Sequence, residues 1–450
     1  MRKIRIGCGA GYAGDRIEPA VELMENGNLD YIIFECLAER TIALGQQEKL
    51  KDPSKGYNPL LELRMRSILK IAKAKQIKII SNMGVANPIA AIQKTKEIAV
   101  ELGITGLKIA AVTGDDIGDS IKDYYQNDVL ELGCKLETLK ADLISANVYI
   151  GSEGIVEALK NGADIIITGR VADPALTVAP LMYEFGWELN THANEIGQAI
   201  LAGHLLECAG QVTGGFYADP GFKEVSNLEK LGFPLAEIQE DGNFVITKVL
   251  GSGGAVTTST CKEQLLYEIH NPAAYFTPDA IADFSKVSFS QASCDVVLAK
   301  GAIAYQKPET LKVSIGYRDG FLGEGEISYG GMNALKRAKL AGDIVHKRLA
   351  IIGAKCEELR IDYIGYNALY QDKISKQLAS ATPAEVRLRV NARTRDLANA
   401  TKIGNEVETL YTNGPAGGGG ATKKASEIIS ICSIFVPRTI VKIDVKYLEV

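Results

Sequence analysis

Ile4-Arg5-Ile6-Gly7-Cys8, a compact apolar run, passes directly into Gly9-Ala10-Gly11-Tyr12-Ala13-Gly14 and then, after Asp15-Arg16, into a stretch of helical character. Strand, glycine-rich turn and helix open a βαβ unit, and the glycines match the G-x-G-x-x-G spacing that lets backbone amides approach an anion. Glu35 closes the next apolar run, 21 residues beyond Gly14, where a dinucleotide fold carries the acid that holds a ribose hydroxyl. Asp15 points the other way, because a carboxylate beside the last glycine would itself satisfy the amides a pyrophosphate needs. NAD binding, a substrate-facing loop formed by Gly9, Gly11, Tyr12 and Asp15, and a purely structural turn all stay open.

The same texture continues along the first half. Tyr31–Phe34, Ile77–Ile80, Leu107–Val112, Val148–Ile150 and Ile165–Thr168 are mostly continuous apolar runs, as expected of strands buried on both faces of a parallel sheet. Between them, Asn58-Pro59, Asn87-Pro88 and Asp173-Pro174 open helical stretches that end near Lys75, Gly103 and Gly186. In each, the short polar residue suits an N-cap and the proline suits the first turn. The fold class expected is α/β, a mostly parallel doubly wound sheet in the N-terminal half with a second α+β domain. The texture changes near Gly215, so the expected domains are 1–215, with the glycine-rich first loop, and 216–450, with a glycine-rich anion-type loop. In the second, strands are expected at Phe244–Leu250, Leu311–Tyr317, Glu385–Asn391 and Thr439–Val445, and helices at Asn333–Ile352 and about Ala425–Phe435.

Composition excludes several classes. The chain has 450 residues, 46% of them hydrophobic and 23% charged, with a net charge of −5. These are ordinary globular values, mild and of the wrong sign for a nucleic-acid binder, and far from collagen-like or disordered chains. Charge is uneven: residues 331–450 hold 19 Lys and Arg against 12 Asp and Glu, and residues 1–330 hold 31 against 43. That asymmetry marks either an anion site or two differently solvated surfaces. The start has no export signal and no run of 18 apolar residues exists, so a cytoplasmic protein that does not enter the membrane is expected. The eight cysteines stand at least 28 residues apart without C-x-x-C and read as reduced thiols.

Open parallel sheets bind ligands at the strands' carboxyl ends, and the polar residues after these strands are the main functional signal. Glu35, Glu39 and Asp115 are candidate general acids or bases if burial raises a carboxyl toward neutrality. Arg40 and Arg170 are candidate clamps for a substrate carboxylate or phosphate, and Asn82 a further contact. Asn87 and Asp173 are expected as helix caps. Asp115 and Asp116 also offer the oxygen ligands a divalent cation would need. No H-E-x-x-H and no G-x-S-x-G occurs, which disfavours zinc and serine hydrolases. The second glycine-rich loop, Asn413-Gly414-Pro415-Ala416-Gly417-Gly418-Gly419-Gly420, precedes Lys423 and Lys424. It reads as either an anion cradle, with Asn413, Gly417, Gly418 and Lys423 as contacts, or a flexible loop. Arg387, Arg389, Arg393 and Arg395 share one strand parity and form a basic face.

With these motifs in view, the chain resembles the acyclic terpene utilisation (AtuA) family. The resemblance rests on Ile6 to Arg16, on Asp30-Tyr31 with Phe34 to Thr41, on Tyr57 to Glu62, on Thr168 to Asp173 and on Leu410 to Gly419. It implies a place in bacterial catabolism of citronellol- and geraniol-type terpenes, whose substrates are processed as acyl-CoA thioesters beside carboxylase and hydratase steps. It carries no site residue over to this chain. Longer relatives have a further C-terminal domain of ferredoxin-like fold, which implies a separate small ferredoxin-fold partner subunit here.

The expected function is acid-base catalysis of the hydration or lyase type on a small carboxylated or CoA-linked acyl substrate, by a homo-oligomer. An NAD-dependent dehydrogenase and a non-catalytic organising subunit are the alternatives. No cofactor is required by the residues, although NAD or a divalent cation would be compatible with them.

Overall fold

The computed structural model describes residues 2–378 and 383–450. From the amino terminus, β1 (Lys3–Cys8), α1 (Glu18–Asn26), β2 (Tyr31–Phe34), α2 (Glu39–Lys51), α3 (Leu61–Lys75), β3 (Lys78–Ser81), α4 (Pro88–Glu101) and β4 (Lys108–Thr113) alternate. β5 (Leu143–Val148), α5 (Glu153–Lys160), β6 (Ile165–Thr168), α6 (Ala175–Phe185) and α7 (Ala193–Leu206) continue the series. Then come β7 (Pro234–Gln239), β8 (Phe244–Lys248), α8 (Thr258–Leu266), β9 (Tyr275–Phe276), β10 (Ile281–Asp283), β11 (Ser288–Ser293), β12 (Val296–Lys300) and β13 (Ile303–Ala304). The rest is β14 (Thr310–Gly330), α9 (Ala334–Ile351), β15 (Glu358–Ile364), α10 (Gln371–Leu378), β16 (Glu385–Thr394), α11 (Leu397–Glu408), α12 (Leu410–Asn413), β17 (Gly418–Pro437) and β18 (Asp444–Glu449).

The chain divides into two compact units, Met1–Gly316 with Ile431–Val450, and Tyr317–Ser430. In the first, a ten-stranded sheet runs β11-β12-β8-β7-β1-β2-β3-β6-β4-β18. Its centre, β1-β2-β3-β6-β4, is parallel, and β7 and β18 join its two sides antiparallel. The centre is parallel because its strands are apolar on both faces: every residue of β2 and β6 is buried, which only a sheet covered by helices on both sides accommodates. Two helical layers supply the cover. α1, α3 and α4 pack on one another, as do α5, α6 and α7. This is the α/β architecture expected.

Three expected elements differ, the first being the strand expected at Thr439–Val445: Arg438–Ile440 form a 3-10 turn and the strand, β18, spans Asp444–Glu449. Val148–Ile150 does not enter the parallel sheet: the strand there is β5, which pairs with β14, and Ile150 makes only an isolated bridge to Val171. A three-residue apolar run carries no periodicity to say which sheet it joins. The helix expected at about Ala425–Phe435 is part of strand β17. Its isoleucines favour extended backbone, and burial of Ile434 and Val436 alternating with exposed Phe435 and Pro437 follows the two-residue period of a strand.

The second unit is a sheet of order β15-β16-β14-β17, antiparallel where β16 pairs with β15 and with β14, with α9 and α11 in the β-α-β-β-α-β sequence of a ferredoxin-like fold. Its core is one face of that sheet, with Ile327, Tyr329, Val386, Leu388 and Val390 against Ala338, Val345, Ile403 and Val407 of the helices. On the other parity of β16 the expected basic face is neutralised. Arg387 meets Glu326, Arg389 meets Asp362, and Arg393 and Arg395 meet Glu357. No helix among the described residues is long and apolar enough to cross a membrane, and all eight cysteines are free thiols.

Candidate functional site

A pocket of about 690 Å3 opens in the first unit at the carboxyl ends of the parallel strands. Gly11, Tyr12 and Asp15 of the loop after β1, Glu35 after β2, Glu39 at the start of α2, and Arg170 after β6 all line it. Six candidates from separate chain segments are thus brought together. Asn82 and Asp115 stand behind the wall. Asn82 Nδ2 donates to Glu35 Oε1 at 2.9 Å, and Asp115 Oδ2 accepts from the Arg170 amide and from Asn147 Nδ2, both at 2.9 Å. Gly9 is buried against the Phe34 ring, and exposed Arg40 does not line the pocket.

The first glycine loop closes on itself. Asp15 Oδ2 accepts the Gly11 amide at 2.9 Å, and Oδ1 accepts the Arg16 amide at 2.8 Å. Buried Arg64 of α3 holds the other side, donating to the carbonyls of Ala13 and Asp15 at 3.3 and 3.0 Å. Gly11 is required by proximity: a Cβ there would lie 2.4 Å from the Cys208 carbonyl carbon. The loop is therefore pressed against the end of α7 with one of its amides bound to a carboxylate.

Glu35 is the chemically distinctive group. Its carboxyl is buried, Oε1 accepts from both Asn82 and the Leu37 amide, and burial together with the nearby Asp173 charge pushes its pKa up to about 8. Glu39 goes the other way. Burial would raise it, but the hydrogen bond from Tyr149 Oη at 2.6 Å and the charge of Lys312 at 3.2 Å bring it down to about 2. Two carboxyls on one wall are thus held in opposite protonation states at neutral pH.

Arg170 is 1% exposed and remains cationic beside Asp173. Its guanidinium donates to the carbonyls of Leu37 and Val171 as well as to Asp173, and lies 4.4 Å from the centre of the Tyr149 ring. With those donors engaged it organises the wall, where the sequence suggested a bidentate clamp. Asp115, pushed up to about 6 by burial, fixes the backbone of Arg170. Asp116 accepts from the Gly118 amide. Among the described residues no three His, Cys, Asp or Glu side chains converge as a metal cluster.

Several lining residues were missed by sequence reasoning. Asp173 was expected to cap α6, yet the helix has no side-chain cap, and the carboxylate turns to Arg170 and the pocket. Glu207 and Cys208, at the end of α7, also line the pocket, with Gln211, Phe216 and Glu268. Burial raises Glu207 to about 7, and His204 Nδ1 lies 3.0 Å from its Oε1. A single sequence had one usable signal here, the i, i+3 spacing of His204 and Glu207.

A second, more apolar compartment of about 540 Å3 shares Glu39, Tyr149 and Asp173 with the first. Pro174, Tyr275, Pro278, Leu311 and Phe435 are among its walls.

Asn413, Gly417, Gly418 and Lys423 belong to the second unit. There Lys423 pairs with Glu408 at 2.6 Å, and Arg337 Nη1 donates to the Ala416 carbonyl at 2.5 Å. Gly418 begins β17, and Asn413 Nδ2 donates to the Thr409 carbonyl at 3.1 Å.

Fold and site define an α/β protein with a carboxyl-rich pocket at the ends of a parallel sheet and a ferredoxin-like second unit. Compared with known families, residues 4–447 match the model described as acyclic terpene utilisation family protein AtuA. The chain belongs to that family. No curated protein and no solved structure matches it.

Proposed function

We propose that the protein is an enzyme of acyclic terpene utilisation that catalyses hydration or dehydration of a small acyl substrate by proton transfer at Glu35. One observation carries this reading: Glu35 is a buried carboxyl on the pocket wall whose pKa, pushed up to about 8, keeps it protonated at neutral pH. A carboxylic acid in that state donates a proton to a leaving hydroxyl, or protonates a carbon in the reverse direction. Asn82 and the Leu37 amide fix Oε1, so the acid is oriented before substrate arrives.

The two compartments suit the substrate. A polar acyl head fits between Glu35 and Glu39, while an apolar branched tail fits among Pro174, Tyr275, Leu311 and Phe435. The dehydrogenase alternative gains nothing from the first loop, because Asp15 holds the Gly11 amide that a pyrophosphate would take.

The test is a thermal-shift screen with branched acyl-CoA thioesters, the free acids and NAD(P), followed by hydratase assays on the thioesters that bind. Binding and turnover of a branched 2-enoyl or 3-hydroxyacyl thioester, lost in Glu35→Gln, supports the reading. Wild-type turnover by Glu35→Gln overturns it.

A further inference from the structure

Beside the glycine loop that follows β1, α7 terminates in a pair of groups that the proposed proton transfer at Glu35 does not use. Glu207 is the C-cap of α7, is 9% exposed and lines the pocket, and its Oε2 is buried without a hydrogen-bond partner among the described atoms. Its other oxygen, Oε1, lies 3.0 Å from His204 Nδ1, and His204 Nε2 lies 3.2 Å from the Leu265 carbonyl.

Both ring nitrogens of His204 therefore face oxygens, and the Leu265 carbonyl can only accept. Nε2 must carry a hydrogen to satisfy it. The Nδ1 to Oε1 contact then holds one further proton, either on an imidazolium facing a carboxylate or on a carboxylic acid facing a neutral imidazole. The ring is kept in place by Tyr275 and Phe284, whose centres lie 5.4 and 6.0 Å away, and Gln264 Nε2 donates to the His204 carbonyl at 3.0 Å. The titratable groups facing the pair are Asp173, Glu268, Cys208 and Tyr275. None of them hydrogen-bonds Oε2. A buried unpartnered carboxyl oxygen is costly, and a ligand polar group or reacting proton in the pocket would satisfy it.

We propose that Glu207 is the second acid-base residue of this pocket, acting on the substrate's α-carbon proton while Glu35 serves the oxygen, with His204 as its positioning residue and proton partner. The proposal rests on the acyl hydratase reading. In the dehydrating direction the Glu207 carboxylate takes the α-proton reversibly, and the electron pair of that C–H bond moves onto the thioester carbonyl as an enolate, from which it returns to form the carbon–carbon double bond. The β C–O bond breaks, and the Glu35 carboxylic acid gives its proton to the departing hydroxyl, which leaves as water. Glu207 ends protonated and Glu35 ionised. Exchange with solvent resets both, and hydration runs the same steps backward.

The experiment uses the full chain and a branched 3-hydroxyacyl-CoA thioester, 3-hydroxy-3-methylbutanoyl-CoA, as probe. Deuterium uptake at the α-carbon from heavy water is followed by mass spectrometry beside formation of the 2-enoyl product. Glu207→Gln is expected to lose α-exchange and elimination at least 100-fold, whereas Glu35→Gln loses elimination but keeps α-exchange. His204→Gln is expected to keep the KM, lower kcat and shift the pH dependence of α-exchange, which a merely structural role would not move. Should Glu207→Gln fail to fold, Glu207→Asp decides, since it keeps the charge but withdraws the oxygen by one methylene and is expected to slow exchange at unchanged KM. Wild-type α-exchange in both Glu207 variants overturns the proposal and leaves the hydratase reading standing. No α-exchange and no elimination by the unmodified protein on this probe or the thioesters that bind overturns both.

Discussion

Asn82 donates to Glu35 Oε1 at 2.9 Å while its own oxygen accepts the Cys36 amide at 2.6 Å. One buried carboxamide after β3 therefore fixes both the acid after β2 and the backbone that follows it. Asn82→Ala leaves the Cys36 amide unpaired in the interior, at a cost of about 1–3 kcal/mol. It also removes a donor that favours the ionised form, so the Glu35 carboxyl should titrate at still higher pH. Urea unfolding gives the first quantity and the infrared carboxyl band the second. An unchanged titration would show that Asn82 does not set the acidity of Glu35.

Gly11 sets the distance between the first loop and α7. In Gly11→Ala the new methyl would lie 2.4 Å from the Cys208 carbonyl carbon and 2.7 Å from its oxygen. These are backbone atoms that no rotamer change can relieve, so the loop must move away from the helix. Overpacking of this kind costs about 1–3 kcal/mol. The lowered urea midpoint should be accompanied by lost ligand stabilisation in the thermal-shift assay, because Tyr12 and Asp15 move with the loop. A variant with wild-type stability would show that the approach is not tight.

How much of the fold and site is legible in the sequence depends on how local each cause is. β1, β2, β3, β4 and β6 are readable because a continuous apolar run between two helix signals suits a strand buried on both faces and little else. Glu35 and Arg170 stand out as polar residues placed directly after such runs. Asp173 misleads for an equally local reason: Asp before Pro is an ordinary helix start, and only the fold reveals Arg170 within reach. Glu207 lies at the end of a helix more than 170 residues from Glu35 in sequence, and nothing local links them. The strand at β17 is hidden by the polar spacing of its Lys and Ser residues, which imitates a helix until its pairing partners are known. The ferredoxin-like order of the second unit is a property of strand pairing, which no single segment encodes.

Arg170 is a buried cation whose removal leaves Asp173 facing Glu35 and Glu39 without compensation. Arg170→Met should cost about 3 kcal/mol, the lower end of the range for breaking a buried pair, because the Asp173 side chain is 35% exposed and partly rehydrates. Arg170→Lys keeps the charge but not the bonds to Leu37 and Val171, so its loss should be smaller in stability and similar in activity. Chemical denaturation and the hydratase assay separate the two effects. Equal stability of Met and Lys variants would show that charge is not what Arg170 contributes.

The carboxyls of the site also predict the direction of the pH dependence of stability. Glu35, pushed up to about 8, and Asp115, pushed up to about 6, bind protons more tightly in the folded chain than in the unfolded one. Their contribution is fully present below the unfolded carboxyl range and is lost as pH rises through these folded values. Glu39, held down at about 2, has the opposite sign: its contribution is present above the unfolded value and disappears only as pH falls toward 2. The urea midpoint should therefore decline between about pH 5 and pH 8, and Glu35→Gln should flatten the upper part of that decline, whereas Glu39→Gln should leave its slope unchanged and alter only the acid limb. A midpoint in Glu35→Gln that declines as steeply as in the unmodified protein above pH 6 would mean that Glu35 is already ionised there, and that the acid of the proposed reaction must be sought elsewhere in the pocket.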